Sequence, residues 1–387
     1  MSSTSRPTFG IGLVGHAFMG RAHSHAWRSV DAIFELPWQP VLSVLAGRDD
    51  GRAQAAAARL GWGSGVGDWR QLLERDDVDL IDICTPGDSH AEIAVAALEA
   101  GKHVLCEKPL ANTVAEAEAM AAAAERAAGR GVRSMVGFSY RRVPALALAR
   151  NLVAQGRIGT VRHVRAQYLQ DWLADPQAPL SWRLDRRRAG SGALGDIGAH
   201  IIDATQFVTG EAVTGVSALL DTFVTERPHP DGPGTGPVTV DDAALFHGRL
   251  SGGGLASFEA SRVAAGRKNA LRLELNGTRG SLAFDLEAMN VLWFHDHTED
   301  SDTAGFRRIL VTEPQHPYAG AWWPPGHGLG YDHAFTNEIA DLVISIAAGK
   351  DPEPTFADGL AVQRVLAAVE ASAADDGRWT AIPGVQP

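Results

Sequence analysis

Cysteine is scarce: Cys84 and Cys106 are the only two in 387 residues. Two thiols cannot build a disulfide framework. Each lies at the end of an apolar run, as a reduced core residue of a cytosolic protein would. Long hydrophobic stretches are missing as well. No run approaches the roughly 20 apolar residues of a membrane helix, and Met1 to Thr8 is short and polar, without a hydrophobic signal region. A cytoplasmic protein with no membrane partner is the expectation. Positive charge is also in deficit, 35 Lys and Arg against 46 Asp and Glu, for a net charge of -11. That balance argues against a nucleic-acid partner. It leaves an anionic cofactor open, because a helix N-terminus or a single Arg can hold a phosphate locally. No repeat or low-complexity tail interrupts the chain, which is too long for one core of usual size and predicts two domains.

What is present falls into two patterns. Apolar runs at Phe9 to Val14, Val41 to Ala46, Val78 to Cys84, His103 to Cys106 and Val132 to Phe138 alternate with helical stretches at Arg21 to Val30, Asp50 to Leu60, Ala91 to Ala100 and Val114 to Ala128. Ser89 reads as the N-cap of the third helix, and Gly101 ends it. Strands alternating with helices predict a doubly wound parallel sheet, a Rossmann domain over 1–138. Beyond Tyr140 the strands come in series: Arg162 to Trp172, Val213 to Val224, Ala243 to Arg249, Gly254 to Arg262, Leu271 to Asn276, Gly280 to Phe284 and Asn290 to His295. Short Gly-containing turns join several of them, which predicts an antiparallel sheet and an α+β domain over 139–387. Helices at Gly195 to Thr209, Tyr331 to Ala348 and Gly359 to Ala373 are assigned to this half. Glu226 to Pro237, rich in Pro and Gly, reads as an exposed loop, and Asp296 to Gly305 as a polar one.

The first turn, Gly15-His16-Ala17-Phe18-Met19-Gly20, is a near match to the dinucleotide fingerprint, in the expected place between a strand and a helix. Gly15, Ala17, Phe18 and Met19 are therefore candidates for holding the cofactor. The second strand should end in Asp or Glu if NAD is preferred. Gly47 stands there instead, followed by Arg48, which could pair with a 2′-phosphate. The pair tilts the reading slightly toward NADP, while Asp49 leaves NAD open. Ligands of a doubly wound sheet sit beyond the strand C-termini, so Thr85, Pro86, His90, Glu107 and Lys108 join the cofactor candidates.

Lys108 of Glu107-Lys108-Pro109 could stabilise a developing alkoxide. Asp196 and His200 lie four apart, so one helical turn brings carboxylate and imidazole to one face, and His200 could take a proton from an alcohol. Lys108, Asp196 and His200 are the candidate catalytic residues. Tyr140, Gln170, Trp172, Trp182 and Arg183 join them as candidate substrate contacts, since flat aromatic faces with one polar atom suit sugar rings. His23 and His25 do not share a helix face, and His295 and His297 lack a partner pattern, so no metal is expected. No tyrosine begins a Tyr-x-x-x-Lys, which disfavours short-chain dehydrogenase chemistry, and the cysteines of a zinc alcohol dehydrogenase are lacking.

Through Gly15 to Gly20, Glu107-Lys108-Pro109 and Gly195-Asp196-Ile197-Gly198-Ala199-His200, nearly the whole chain resembles the glucose–fructose oxidoreductase / inositol dehydrogenase (Gfo/Idh/MocA) family. The resemblance implies a Rossmann domain followed by an open, mostly antiparallel sheet that commonly joins subunits into homodimers or homotetramers. It implies that Lys108, Asp196 and His200 are catalytic. The stretches Tyr168-Leu169-Gln170-Asp171-Trp172, Leu180-Ser181-Trp182-Arg183 and Phe356-Ala357-Asp358-Gly359 are similar to those of bacterial sugar dehydrogenases in the family. They imply oxidation of a secondary ring hydroxyl, the 3-hydroxyl of a sugar, an anhydrosugar such as levoglucosan, or a cyclitol, with NAD or NADP. Two rival readings are a glycosidase that holds NAD and returns the hydride internally, and a nucleotide-sensing protein without catalysis.

Overall fold

The structure is a computed structural model that describes residues 6–385. Its packing separates into two units, one formed by the chain up to Ser139 with Gly330–Leu360, the other by Tyr140–Leu329 with the chain from Ala361.

In the first unit, strands β1 (Thr8–Val14), β2 (Gln39–Ala46), β3 (Ser64–Val66), β4 (Leu80–Ile83), β5 (His103–Glu107) and β6 (Ser134–Gly137) form one sheet in the order β3-β2-β1-β4-β5-β6. Every pairing is parallel. The chain order reverses between β1 and β4, and such a switch point opens a crevice at the strand C-termini. The connecting helices are α1 (Phe18–Ile33), α2 (Asp50–Leu60), α3 (Arg70–Leu73), α4 (His90–Glu99) and α5 (Val114–Ala128). Asp49 caps α2 through the Arg52 N–H and Gly61 closes it at φ 84°, and Thr113 with Glu116 forms a capping box on α5.

Three local expectations change here. Ser89 is no side-chain cap: its hydroxyl donates to Thr85 Oγ1 at 2.8 Å and to the Pro86 carbonyl at 2.9 Å. Strand β3 was not expected, because three residues, one of them glycine, are too short to display a period. The helix of the Tyr331 region, expected in the second half, packs in the first, where Phe335, Ile339, Val343 and Ile346 share a core with Trp27 and Val30 of α1. Its apolar stripe identifies it as amphipathic without saying which sheet it covers.

The second unit begins with α6 (Pro144–Ala154). Its main sheet contains β7 (Val161–Leu169), β8 (Val213–Asp221), β11 (Ala243–Leu250), β12 (Leu255–Ser261), β13 (Ala270–Gly277), β14 (Gly280–Asp285), β15 (Val291–Asp296), β16 (Arg307–Leu310) and β17 (Thr380–Ala381). The order is β16-β15-β14-β13-β7-β12-β11-β8-β17. The sheet is mixed, not wholly antiparallel, since β7 and β12 run parallel. Parallel neighbours need a long crossover, and the stretch between them supplies α7 (Arg186–Ala189), a π-turn at Leu194–Gly198 and α8 (Ala199–Thr209). The expected loop over Glu226 to Pro237 is partly a ribbon of β9 (Glu226–Pro228) and β10 (Thr235–Pro237). It is held by the buried Arg227, whose guanidinium donates to the carbonyls of Asp175 and Leu173, both at 2.8 Å. The remaining helices are α9 (Tyr331–Ala347) and α10 (Phe356–Ala374). Among the described residues, no helix is long and apolar enough to cross a membrane.

Candidate active site

In the first unit, the turn after β1 is shaped by its glycines. Gly15 has φ 98°, and its N–H donates to the Ala46 carbonyl at 3.0 Å. Gly20 lies in the first turn of α1, where a Cβ would stand 2.1 Å from the Gly15 oxygen. Only glycine lets helix and turn approach so closely. Ala17 is the N-cap of α1, with no side-chain capping bond and no acidic residue in the first turn. The first turn of the helix thus supplies no acid or cap of its own to its N–H groups, which suits a pyrophosphate. Phe18 is exposed and stacks on Tyr331 at 6.2 Å, while Met19 packs on the core. A Cβ on Gly47 would meet His16 Nε2 at 2.9 Å, so an acidic side chain there would displace that imidazole. Arg48 is exposed, and Asp49 is committed to capping α2.

Thr85 and Pro86 follow β4 and are partly exposed, whereas His90 is buried beneath them. Its ring nitrogens lie 2.9 Å from the Thr85 carbonyl and 3.0 Å from that of Pro109. This histidine ties two strand ends together. Glu107, expected from its place at a strand end to contact the cofactor, is buried too. Its Oε1 lies 3.0 Å from His23 Nε2 and its Oε2 accepts the Lys108 N–H at 3.1 Å. His23 Nδ1 in turn lies 2.9 and 3.0 Å from the Asp82 oxygens, and Trp27 donates to Asp82 at 2.8 Å. Burial is the largest single influence and opposes charge on His23, but Asp82 and Cys84 together outweigh it, so the imidazole titrates well above its usual range. Burial pushes the neighbouring Cys84 thiol above its usual range, keeping it neutral. His23, Asp82 and Cys84 are close enough to hold a metal ion. Here, however, carboxylates already engage both ring nitrogens, and a metal would have to displace one. Lys108 itself is half-buried at the C-terminal end of β5.

In the second unit, candidates gather where β7 and β12 end and β13 begins. His200, at the start of α8, lies between two tyrosines, with ring centroids 4.6 Å from Tyr140 and 5.7 Å from Tyr168. The Tyr140 and Tyr168 hydroxyls are 2.9 Å apart, and Tyr168 donates to Asn269 Oδ1 at 2.6 Å. Gln170 also donates to that oxygen, at 2.9 Å, and Trp172 donates to Gln170 at 3.0 Å. Asp196 sits in the π-turn, a feature frequent at functional sites. Its carboxylate faces Arg262 at 3.8 Å and Arg183 at 4.0 Å, and Arg183 stacks on Trp182 at 4.5 Å. Arg262 is fully buried, and Nε and Nη1 lack a hydrogen-bond partner. Burial lowers its pKa against the opposing pull of Asp196, Asp241 and Asp242. Asp241 fixes the π-turn by accepting from Gly192 and Leu194 at 2.6 and 2.8 Å.

The second unit therefore brings together Tyr140, Gln170, Trp172, Trp182, Arg183, Asp196 and His200. Sequence reasoning missed Tyr168, Asn269, Arg262 and Asp241 as parts of this constellation. Tyr168 carried a signal, since it shares a strand face with Gln170 two residues on. Arg262 and Asn269 did not, because only the strand register brings their chain segments to one edge.

A Rossmann unit with a dinucleotide turn, joined in sequence to a unit that gathers a histidine, a carboxylate and a polar string at the ends of its strands, defines a class of nicotinamide oxidoreductase. The chain belongs to the GFO/IDH/MocA family. Residues 9–138 match its oxidoreductase model with an NAD-binding Rossmann fold, and residues 146–283 match its C-terminal domain. Levoglucosan dehydrogenase of Pseudarthrobacter phenanthrenivorans is 41% identical over 97% of this chain and 98% of its own length. A solved complex of levoglucosan dehydrogenase with NADH and levoglucosan superposes with TM-score 0.93 at 41% identity, covering 97% of this chain and 100% of the other. An oxidoreductase domain protein from Kribbella flavida is 69% identical, with TM-score 0.95 over 97% of this chain and 100% of its own.

Proposed function

We propose that this oxidoreductase uses NAD to oxidise a secondary ring hydroxyl, the 3-hydroxyl of levoglucosan or a close anhydrosugar, to the ketone. The observation that carries this reading is the hydrogen-bonded string Tyr140–Tyr168–Asn269–Gln170–Trp172 running from beside His200. Hydroxyl and amide groups in a row, with an indole face at the end, suit a rigid polyol. The relatives that act on levoglucosan support the same substrate class.

The proposed catalytic residues are Lys108, Asp196 and His200. Oxidation removes a hydride from the carbinol carbon and a proton from its oxygen. Bound NAD supplies the hydride acceptor. His200 takes the proton, Lys108 donates a hydrogen bond to the oxygen as charge develops on it, and Asp196 orients the substrate. The residues proposed to hold the dinucleotide are Gly15, Ala17, Phe18 and Met19 at the α1 N-terminus, with Thr85 and Pro86 at the end of β4. NAD is preferred in this reading despite Gly47-Arg48, on the strength of the NADH complexes of relatives. The test is nicotinamide reduction with levoglucosan, glucose and inositols, using NAD and NADP in parallel. NADH formation with levoglucosan supports the reading, and a preference for NADP would hand Arg48 the 2′-phosphate role.

The subunit proposal is a homodimer or homotetramer formed through the sheet face that exposes Leu219, Leu245 and Trp293. A ladder of polar pairs accompanies them, Arg165 with Glu274, Gln167 with Glu259 and Arg272 with Asp285. Light scattering at the mass of a single chain would contradict it.

A further inference from the structure

His23 takes no part in the proton transfer proposed above, yet it is buried between two acids. We infer that His23 is a positioning residue for Lys108, bracing Glu107 from α1 so that the turn carrying the lysine is fixed. Glu107 is held at both oxygens, Oε1 against His23 Nε2 at 3.0 Å and Oε2 by the Lys108 N–H at 3.1 Å. It is also wedged by its neighbour strand, where a Cβ on Gly137 would stand 3.2 Å from Oε1. On the other side of the ring, Asp82 is clamped by Trp27 Nε1 and lies beside the Cys84 thiol, 3.6 Å away. Phe335 of α9 covers the ring at 5.4 Å between centroids, and Cys106 lies in the same buried strand as Glu107. The brace therefore joins α1, β4 and β5. His23 stands about 7.5 Å along the helix axis from Phe18, so the helix that opens the dinucleotide turn also anchors the lysine.

Ionised carboxylates only accept hydrogen bonds, so a ring with both nitrogens on carboxylates donates from both and is an imidazolium. The raised pKa of His23 agrees with this. Glu107→Gln separates charge from position. Its carboxamide oxygen can still accept from Lys108 and its NH2 can donate to His23 Nε2, which leaves the ring neutral with the geometry kept. His23→Gln removes the two-sided brace.

Three readouts test the inference, and only the last rests on the proposed role of Lys108. First, ring nitrogen spectra at about pH 8, where an ordinary histidine is neutral, should give a doubly protonated His23, assigned by its loss in His23→Gln, and a neutral ring in Glu107→Gln. Second, amide exchange at Lys108 should quicken about tenfold or more in His23→Gln while Leu105 in β5 changes less than about threefold. Third, kcat with levoglucosan should fall about ten- to a hundredfold in His23→Gln, as for a small misplacement of a reacting group, with the Kd for NADH within about threefold. A neutral His23 in the parent protein, unchanged exchange at Lys108, or loss of protection spread evenly along β5 would overturn the inference. A parent protein that reduces no NAD would refute the assigned function, while the first two readouts still decide the role of His23. Should His23→Gln fail to fold, His23→Asn, too short to reach both Asp82 and Glu107, replaces it in the assignment and in the exchange and kcat readouts, with the same expected and overturning results.

Discussion

Gly20→Ala sets two physical effects of opposite sign against each other. Alanine is favoured over glycine within a helix by about 0.8–1.0 kcal/mol, so propensity alone predicts a more stable protein. Packing predicts the reverse. A Cβ at Gly20 would lie 2.1 Å from the Gly15 carbonyl oxygen, whereas ordinary contact begins at 3.4 Å. The helix must then move away by about 1 Å, within the range where overpacking costs about 1–3 kcal/mol. Gly15 cannot retreat instead, because its left-handed φ of 98° and its bond to Ala46 fix it. The same shift carries the helix N–H groups off the proposed pyrophosphate position. Losing one charge-assisted bond of about 1.5–3 kcal/mol raises the Kd for NADH by about ten- to a hundredfold. Gly51→Ala is the matched control, since a Cβ there meets only Asp49 Oδ1, at 3.5 Å. It should stabilise the protein by up to about 1 kcal/mol and leave the Kd unchanged. Calorimetry with NADH and thermal melts read both variants. A Gly20→Ala protein that melts higher and binds NADH within about twofold of the parent would refute the steric argument.

Asp203→Asn should cost about 3–5 kcal/mol by chemical denaturation, because it leaves the buried Arg141 guanidinium without the carboxylate that receives its Nε and Nη2; a cost below about 1 kcal/mol would place that pair with exposed ones. Tyr168→Phe removes the hydroxyl between Tyr140 and Asn269 and should lower kcat/KM about tenfold, whereas full activity would remove the string from the substrate site. His103 is pushed down to about 4 by burial, and its Nδ1 accepts the Arg133 N–H at 2.9 Å, which only the neutral ring can do. The unfolded chain takes up this proton first, so stability is full above about pH 6.5 and falls as pH drops toward about 4. The loss is at most about 3 kcal/mol, and His103→Gln should flatten that part of a denaturation–pH profile.

The Rossmann unit was legible because its signals are local. Each buried strand is a short apolar run, and Gly15 and Gly20 keep their meaning wherever the rest of the chain goes. Asp50–Leu60 and Val114–Ala128 carried caps and glycines that fixed their ends to the residue. What escaped was settled at long range. The stripe of α9 fits any apolar surface, and only packing assigns it to α1. The parallel pairing of β7 with β12 depends on a crossover whose path no strand pattern encodes. For the site, His200 and Asp196 announced themselves by spacing, but the π-turn that carries Asp196 was silent, as were Arg262 and Asn269. Glu107 was read as a cofactor contact from its place at a strand end, while burial turns it inward to His23.

The most direct test is reduction of NAD by the purified protein with levoglucosan, run beside Lys108→Ala and His200→Ala, with the product identified by NMR. NADH should form in step with a 3-keto product, and turnover should be lower by about two to four orders of magnitude in His200→Ala, as for loss of a general base. Lys108→Ala should fall comparably while the fold survives. No net NADH with any sugar, or full turnover in either variant, would contradict the proposed function.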